Sequence, residues 1–363
     1  MYQRRTLTLA LAAAIASFNE SSAAQADDDL PHYQAQQAVS GPIRNYGFGL
    51  GGVLKIWEDE FRKIHPGVTF QDTLPTSDAA FPALVTGTTD LAPDGGEPAI
   101  TEILSFYEVF GYHATSITVA SGTYDVDGKS PGIVIYVHPD NPLSRVSMSQ
   151  LDGIFGAERN GGLRGFKWTV SDARGADQNI RTWGQLGLTG EWADKPIQTY
   201  GHAPSGTSRF FQLKVLKNSD KWNPNLREYV ETDSKMIGDA DQAQLGGLQH
   251  MLGDELAHNK YGIAWTIVPQ AKKLPGLKAL ALAAADGGPY VVASKASFQD
   301  RSYPLVRSLY IYLNRKPGTA IEPRFKEFLR YVLSREGQDA VARNGNYLPL
   351  PASEVREQLK KLD

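Results

Sequence analysis

The chain of 363 residues contains no cysteine. That excludes disulfides, thiolate nucleophiles and zinc–thiolate sites. It also excludes a bacterial lipoprotein anchor, which needs a cysteine at the cleavage point. Strong charge of either sign is missing too: 37 Lys and Arg face 40 Asp and Glu, a net −3 at pH 7. Nothing in that balance calls for nucleic acid as a partner. Beyond the first residues no apolar run approaches the length of a membrane span. There is no internal repeat and no low-complexity tract. Metal and catalytic motifs are absent as well. The seven histidines form no H-E-x-x-H, and His250 and His258 lie two helical turns apart, too far for paired ligation. Ser205 is not in G-x-S-x-G. Gly128-Lys129-Ser130 echoes a P-loop ending, but Thr123 stands where its first glycine belongs.

What is there begins with an export signal. Arg4 and Arg5 form a basic start, Leu7 to Phe18 an apolar core too short to span a membrane, and Ala24-Gln25-Ala26 a cleavage site. Residues 1–26 therefore read as a signal peptide, with Asp27 the first mature residue. The signal carries Arg4, Arg5 and Glu20, a net +1, so its removal takes the chain from −3 to −4. An exported, unanchored protein suggests the Gram-negative periplasm. The roughly 340 remaining residues suggest two lobes. Residues 27–40 read as a loose, acidic leader.

Strand and helix signals then alternate, which predicts an α/β protein with mainly parallel sheets. Leu50, Leu54, Trp57, Phe61 and Ile64 form one helical face after the glycine-rich YGFGLGG, and Val68-Thr69-Phe70 follows as a strand. Pro131 to Val137, PGIVIYV, is a buried-strand run. Ala243 to His258 reads as a helix, and Tyr261 to Trp265 as a strand. Leu305 to Asn314 carries mixed signals, and Pro323 to Arg343 reads as one long amphipathic helix.

The stretch with most chemical content is His202 to Phe211, HAPSGTSRFF. A strand-like run precedes it and a helix-capable run follows. Ser205, Gly206, Thr207 and Ser208 would stand at a helix N-terminus, where unpaired N–H groups and the macrodipole favour an anion. Arg209 could supply formal charge. The same string also suits an ordinary Ser/Thr cap. Thr76-Ser77-Asp78 is a second hydroxyl-rich helix start with the same two readings. Asp94 and Glu97 lie in an acidic turn after a strand. Residues 156–167 form a glycine-rich loop with Arg159, Arg164 and Lys167, read as surface basics. His202 near Ser205 could in principle activate a nucleophile, although spacing shows no carboxylate to orient it.

Several stretches together resemble the periplasmic phosphate-binding proteins of high-affinity phosphate ABC importers. They include LKIWEDEF, LVTGTTDLAP, GIVIYVHPDNPLSRVSMSQLDGIFG, TWGQLGLTGEW, SGTSRFF, YGIAW, YPLVRSLYIYLN and EFLRYVLSREGQ. The resemblance covers roughly residues 40–350. It implies a type II periplasmic binding protein: two α/β lobes with a ligand cleft between them. Lobe 1 is expected over 40–130 and 270–363, and lobe 2 over 131–269. The implied function is capture of inorganic phosphate for ABC-type import, with no catalysis and no cofactor. Phosphate and an inner-membrane ABC permease are the implied partners, and the protein is expected to be a monomer. On the family pattern Ser205, Gly206 and Thr207 bind oxygens, Thr76 and Ser77 match the hydroxyl loop of the other lobe, and Asp94 or Glu97 accepts the phosphate proton. Two positions depart. Family members carry an arginine four residues before the SGT serine, where this chain has Gly201, and Arg209 is the candidate to replace it. The glycine-rich turn also lacks a hydroxyl, which leaves the N–H groups of Leu50 to Gly52. Alternatives are another oxyanion or organophosphate in the same fold, or a periplasmic phosphatase or esterase using Ser205 and His202.

Overall fold

The computed structural model describes residues 25–164, 167–231, 247–274 and 276–363. The expected signal peptide, apart from Gln25 and Ala26, lies outside them. Strand β1 (Gly41–Tyr46) pairs in parallel with β2 (Val68–Thr73), and α1 (Val53–Ile64) connects them. The three-four spacing of Leu54, Trp57 and Phe61 puts all three on one buried helix face. The helix starts at Val53, later than the periodicity predicts. Gly51 and Gly52 take positive φ and close a short 3-10 turn over Leu50–Gly52 first. Helix α2 (Ala80–Val85), β3 (Ala92–Asp94), α3 (Ile100–Phe110) and β4 (Thr115–Ser121) follow.

The chain then enters a second body. Strand β5 (Ile133–Val137) is buried along its whole length, as its continuous apolar run predicts. Next come β6 (Arg145–Ser147), α4 (Met148–Phe155) and the hairpin β7 (Gly162–Arg164) with β8 (Lys167–Thr169). Strand β9 (Gln198–His202) leads into α5 (Gly206–Lys214). Strands β10 (Arg227–Tyr229), β11 (Gly262–Ile267) and β12 (Lys278–Ala279) complete a sheet of order β10-β9-β11-β5-β12. Strand β13 (Ala281–Ala283) pairs with β6, and β14 (Ser308–Leu313) returns to lie between β3 and β4.

The sheets are mixed rather than mainly parallel. β9 pairs in parallel with β10 and β11, but β5 runs antiparallel to β11 and β12, and β14 antiparallel to β3 and β4. The cause is the double crossing: β4 leaves the first body where β14 enters it, so the two must run in opposite directions. Two large cores mark the bodies. One holds Ile43, Trp57, Ile117, Leu309, Phe328 and their neighbours, and the other Val134, Trp183, Phe211, Trp265 and theirs. Ala271, Leu280, Leu282, Phe298 and Leu305 belong to the second core. Residues 271–305 thus contribute to the second core, although the strand pattern suggests a return near 270.

Three local expectations are corrected. Residues 27–40 are not a loose leader, because Ala26 and Leu30 are buried and Asp27 accepts the Ala352 N–H at 2.9 Å. Tyr33 stacks edge-on to Phe61 and Tyr331. The predicted 323–343 helix is two helices, Pro323–Val332 and Arg335–Asn344. Ser334 turns extended between them, and its hydroxyl accepts the Gly337 N–H. Of the predicted 243–258 helix, residues 243–246 lie outside the description. The rest is a short α-turn followed by π-helical and 3-10 segments.

A buried carboxyl, Glu58, under β1 makes stability depend on pH. Asn45 donates its amide to both Glu58 and Asp72 at 2.9 Å. Burial first, then the neighbouring Asp72, pushes the Glu58 carboxyl up to about 8. A carboxyl raised in the folded state stabilises below its unfolded pKa, and that contribution is lost as pH rises through the folded value. The ligand-free protein should therefore melt at lower temperature as pH climbs from about 4.5 to about 8. Glu58→Gln should flatten that slope in a pH series of thermal melts. An unchanged slope would remove Glu58 as the cause.

Candidate functional site

The site is built around the start of α5. Ser205 is extended, caps the helix by accepting the Ser208 N–H at 3.2 Å, and has its own N–H bonded to Ser208 Oγ at 2.7 Å. So the cap reading of this string holds. It does not exhaust the end of the helix: the N–H groups of Gly206 and Thr207 have no intrahelical acceptor by geometry. A cavity of about 240 Å³ opens there, lined among others by Ser130, Gly206, Thr207, Glu231 and Arg307. It lies at the carboxyl ends of β9 and β11, where open α/β sheets take ligands. A larger cavity of about 550 Å³, at Gln198, Asn225 and Asn259, sits at the opposite end of β9.

The other lobe contributes the turn after β3. Asp94 is buried, and its Oδ1 accepts the Gly96 N–H at 3.1 Å. Ser77 Oγ accepts the Gly95 N–H at 3.0 Å, and its hydroxyl also bonds the Asp94 carboxyl. Burial pushes Asp94 up to about 7; those bonds oppose the rise, and Glu102 and Glu97 add to it. Glu97, the other acidic candidate, instead accepts the Tyr310 hydroxyl at 3.1 Å. Thr76 is exposed and makes no side-chain cap bond. In the glycine-rich turn Gly52 N–H is spent on Gly49. A Cβ on Gly51 would press on the Tyr347 ring.

Arg209 stands at the start of α5 as its position suggests, its guanidinium 3.9 Å from where a Cβ on Gly206 would lie and its Nε without a hydrogen-bond partner among the described residues. Its guanidinium reaches across the cleft mouth to Asp78 at 3.3 Å, and both side chains are well exposed. An exposed pair of this kind contributes little. A second positive group, Arg307, which sequence reasoning missed, is the more buried of the two. It is only 8% exposed, and its Nε has no hydrogen-bond partner. Among the described residues it has no ion pair. A Cβ on Gly96 would collide with its guanidinium, and one on Gly206 would stand 3.8 Å from it. The guanidinium therefore sits between the Asp94 turn of one lobe and the α5 start of the other, over the Phe210 ring at 5.6 Å. One signal was available: Arg307 is the lone charge in the apolar run LVRSLYIYL.

Gly201 has a steric reason. A Cβ there would collide with the Trp265 indole. That indole is stacked between His202 at 4.7 Å and Phe211 at 4.6 Å. His202 is buried; its Nδ1 contacts Glu231 Oε1 at 2.7 Å and its Nε2 the Thr266 hydroxyl at 2.9 Å. Ser205 Oγ donates to the same Glu231 oxygen at 2.7 Å. Burial resists ionisation of Glu231, but His202 and the Thr207 and Ser205 hydroxyls outweigh it and hold the carboxyl down at about 2. Both ring nitrogens of His202 are thus engaged away from Ser205, so the nucleophile–base pair of the hydrolase alternative is not assembled.

Two α/β bodies around a cleft, with helix starts and a buried cation converging on it, define a type II periplasmic binding protein. Residues 49–336 match the family model described as a PBP superfamily domain. The chain is 32% identical over 344 residues to the phosphate-binding protein PstS of Pseudomonas aeruginosa strain PAO1, covering 94% of this chain and 93% of that one. It is 22% identical to the protein of the same name from Staphylococcus saprophyticus, covering 86% of this chain and 82% of that one. The crystal structure of PstS from Borrelia burgdorferi shares the fold, with a TM-score of 0.51 at 13% identity, covering 86% of this chain and 99% of that one. The chain belongs to the PstS family of phosphate-binding proteins.

Proposed function

We propose that the protein captures inorganic phosphate in the cleft and delivers it for ABC-type import. The observation that carries this reading is the buried guanidinium of Arg307 between Gly96 and Gly206, whose Nε has no hydrogen-bond partner among the described residues. A buried cation with no ion pair among the described residues fits a site completed by an anion. Gly206 and Thr207 supply N–H donors from one lobe, and the Thr207 hydroxyl, bonded to Glu231 in the ligand-free protein, turns to the ligand as a further donor. Asp94, with Ser77, supplies an acceptor for a phosphate proton from the other, which disfavours sulfate. On this reading the protein works in the periplasm as a monomer, after signal cleavage near Ala26, and hands its cargo to an inner-membrane permease. The lobes would then comprise residues up to about 130 with those after Arg307, and the chain between.

Titration calorimetry with phosphate is the direct test. Binding should also raise the melting temperature, equivalent to about 2.7 kcal/mol at a hundredfold excess over Kd. Absence of both heat and shift at millimolar phosphate would defeat the reading, and competition with sulfate and organophosphates would then identify the cargo. Thr207→Ala should weaken phosphate binding roughly tenfold or more, the worth of a hydrogen bond to a charged group, while the ligand-free melt holds. Unchanged affinity would make Thr207 a cap alone.

A further inference from the structure

We propose that Ser130 is a positioning residue of the ligand site: its hydroxyl holds the Gly95–Gly96 turn of the first body against the wall of the cavity. This inference rests on the phosphate reading above. Ser130 lies between β4 and β5, where the chain passes from the first body to the second, and it lines the cavity at the start of α5. Its hydroxyl donates to the Gly95 carbonyl at 2.5 Å. Arg307, just before β14, lines the same cavity, and its guanidinium packs on Gly96. The two crossing segments thus grip successive residues of one turn. The rest of the lining, Gly206 and Thr207 included, comes from these segments and the second body. The two grips therefore join the first body to the cavity.

The backbone shows what this placement costs. Ser130 has a φ of 53°, in the left-handed region that a residue with a Cβ rarely adopts. Such strain persists only where the surroundings fix it. Here Gly122 does so: it donates its N–H to the Arg307 carbonyl at 2.8 Å, and a Cβ on it would collide with the Ser130 carbonyl. Glycine would take the Ser130 backbone without strain, so what serine adds is the hydroxyl. Gly95 is buried and held from two sides, its C=O by Ser130 and its N–H by Ser77 Oγ at 3.0 Å. A Cβ on Gly95 would stand 3.0 Å from the Phe48 ring and 3.3 Å from Ser130 Oγ, so the grip has no room for a side chain. The Gly95 carbonyl and the Gly96 N–H share one planar peptide group, and fixing one directs the other. An anion drawn to Arg307 engages the guanidinium that packs on Gly96, while Ser130 keeps Gly95 in place, so the first body closes on the ligand as a unit. Without the hydroxyl the turn is held by Arg307 alone, and the ligand leaves sooner.

The test compares two variants of the full protein. Ser130→Gly removes the hydroxyl and relieves the backbone, whereas Ser130→Ala removes the hydroxyl and keeps the strain. Both should bind inorganic phosphate about fivefold more weakly than the wild type, the worth of one hydrogen bond, and through faster release. Titration calorimetry measures the affinity and stopped-flow fluorescence the release. The ligand-free melts should separate the variants. Ser130→Gly should melt close to the wild type, because relief of strain offsets the lost hydrogen bond, and Ser130→Ala should melt lower. Wild-type affinity and release in Ser130→Gly would overturn the proposal and leave the phosphate reading intact. A wild-type protein that gives no heat and no melting shift with phosphate would defeat both. Should Ser130→Ala not fold, Ser130→Gly decides alone.

Discussion

Arg307→Ala should weaken phosphate binding by about a hundredfold or more. Removing one partner of a buried charge pair typically costs 2–5 kcal/mol, and a hundredfold loss corresponds to about 2.7 kcal/mol. The ligand-free fold should not suffer in proportion. Arg307 is buried with an unpaired Nε and no ion pair among the described residues, so its charge burdens the empty protein. The variant should melt at or above the wild-type temperature without phosphate and lose the phosphate-induced shift. Arg307→Lys should fall between, since it keeps the charge but not the planar fork that grips two oxygens. Calorimetry checks the affinities and thermal melts the stability. Wild-type affinity in Arg307→Ala would disprove the assignment and return the role to Arg209.

Gly201→Arg, which would restore the arginine implied by the family resemblance, should fail in both binding and stability. The first atom of the new side chain would strike the Trp265 indole, and that ring is held in a stack by His202 and Phe211. Overpacking costs about 1–3 kcal/mol and a buried charge adds to it, so a loss of about 3 kcal/mol or more is expected. Gly201→Ala should destabilise in the same direction by less. Denaturant unfolding measures both. A stable Gly201→Arg protein that bound phosphate more tightly would show that the stack yields and that the two arginine positions are interchangeable.

These expectations show how far the site could be read along the chain. The start of α5 was legible because helix ends are local. Ser205, Gly206 and Thr207 announce a cap and free N–H groups whatever surrounds them. Asp94 was legible as a candidate because it ends a strand at a turn, but its separation from Glu97 was not. That separation depends on Tyr310, whose hydroxyl takes Glu97 after the chain has crossed to the other body and back. For Arg209 the sequence could not show its second partner. It is close to the ligand donors in sequence, but its side chain leaves the helix toward Asp78. Glu231 offered no pattern at all. It matters because β9 and β10 lie side by side, which brings it to His202 and Ser205.

The sequence by itself determined the α/β class, the anion-ready start of α5, the buried run of β5 and the absence of thiol chemistry. Periodicity, capping and composition act over a few residues and survive any arrangement of the rest. Only the tertiary structure decided the direction of the strands at the crossings, the packing of residues 271–305 into the second core and the burial of Arg307. Those depend on contacts between segments far apart in the chain. Trp265 on β11 forbids a side chain at Gly201 on β9, while Arg307, at the threshold of β14, is buried beside Gly96 and Gly206.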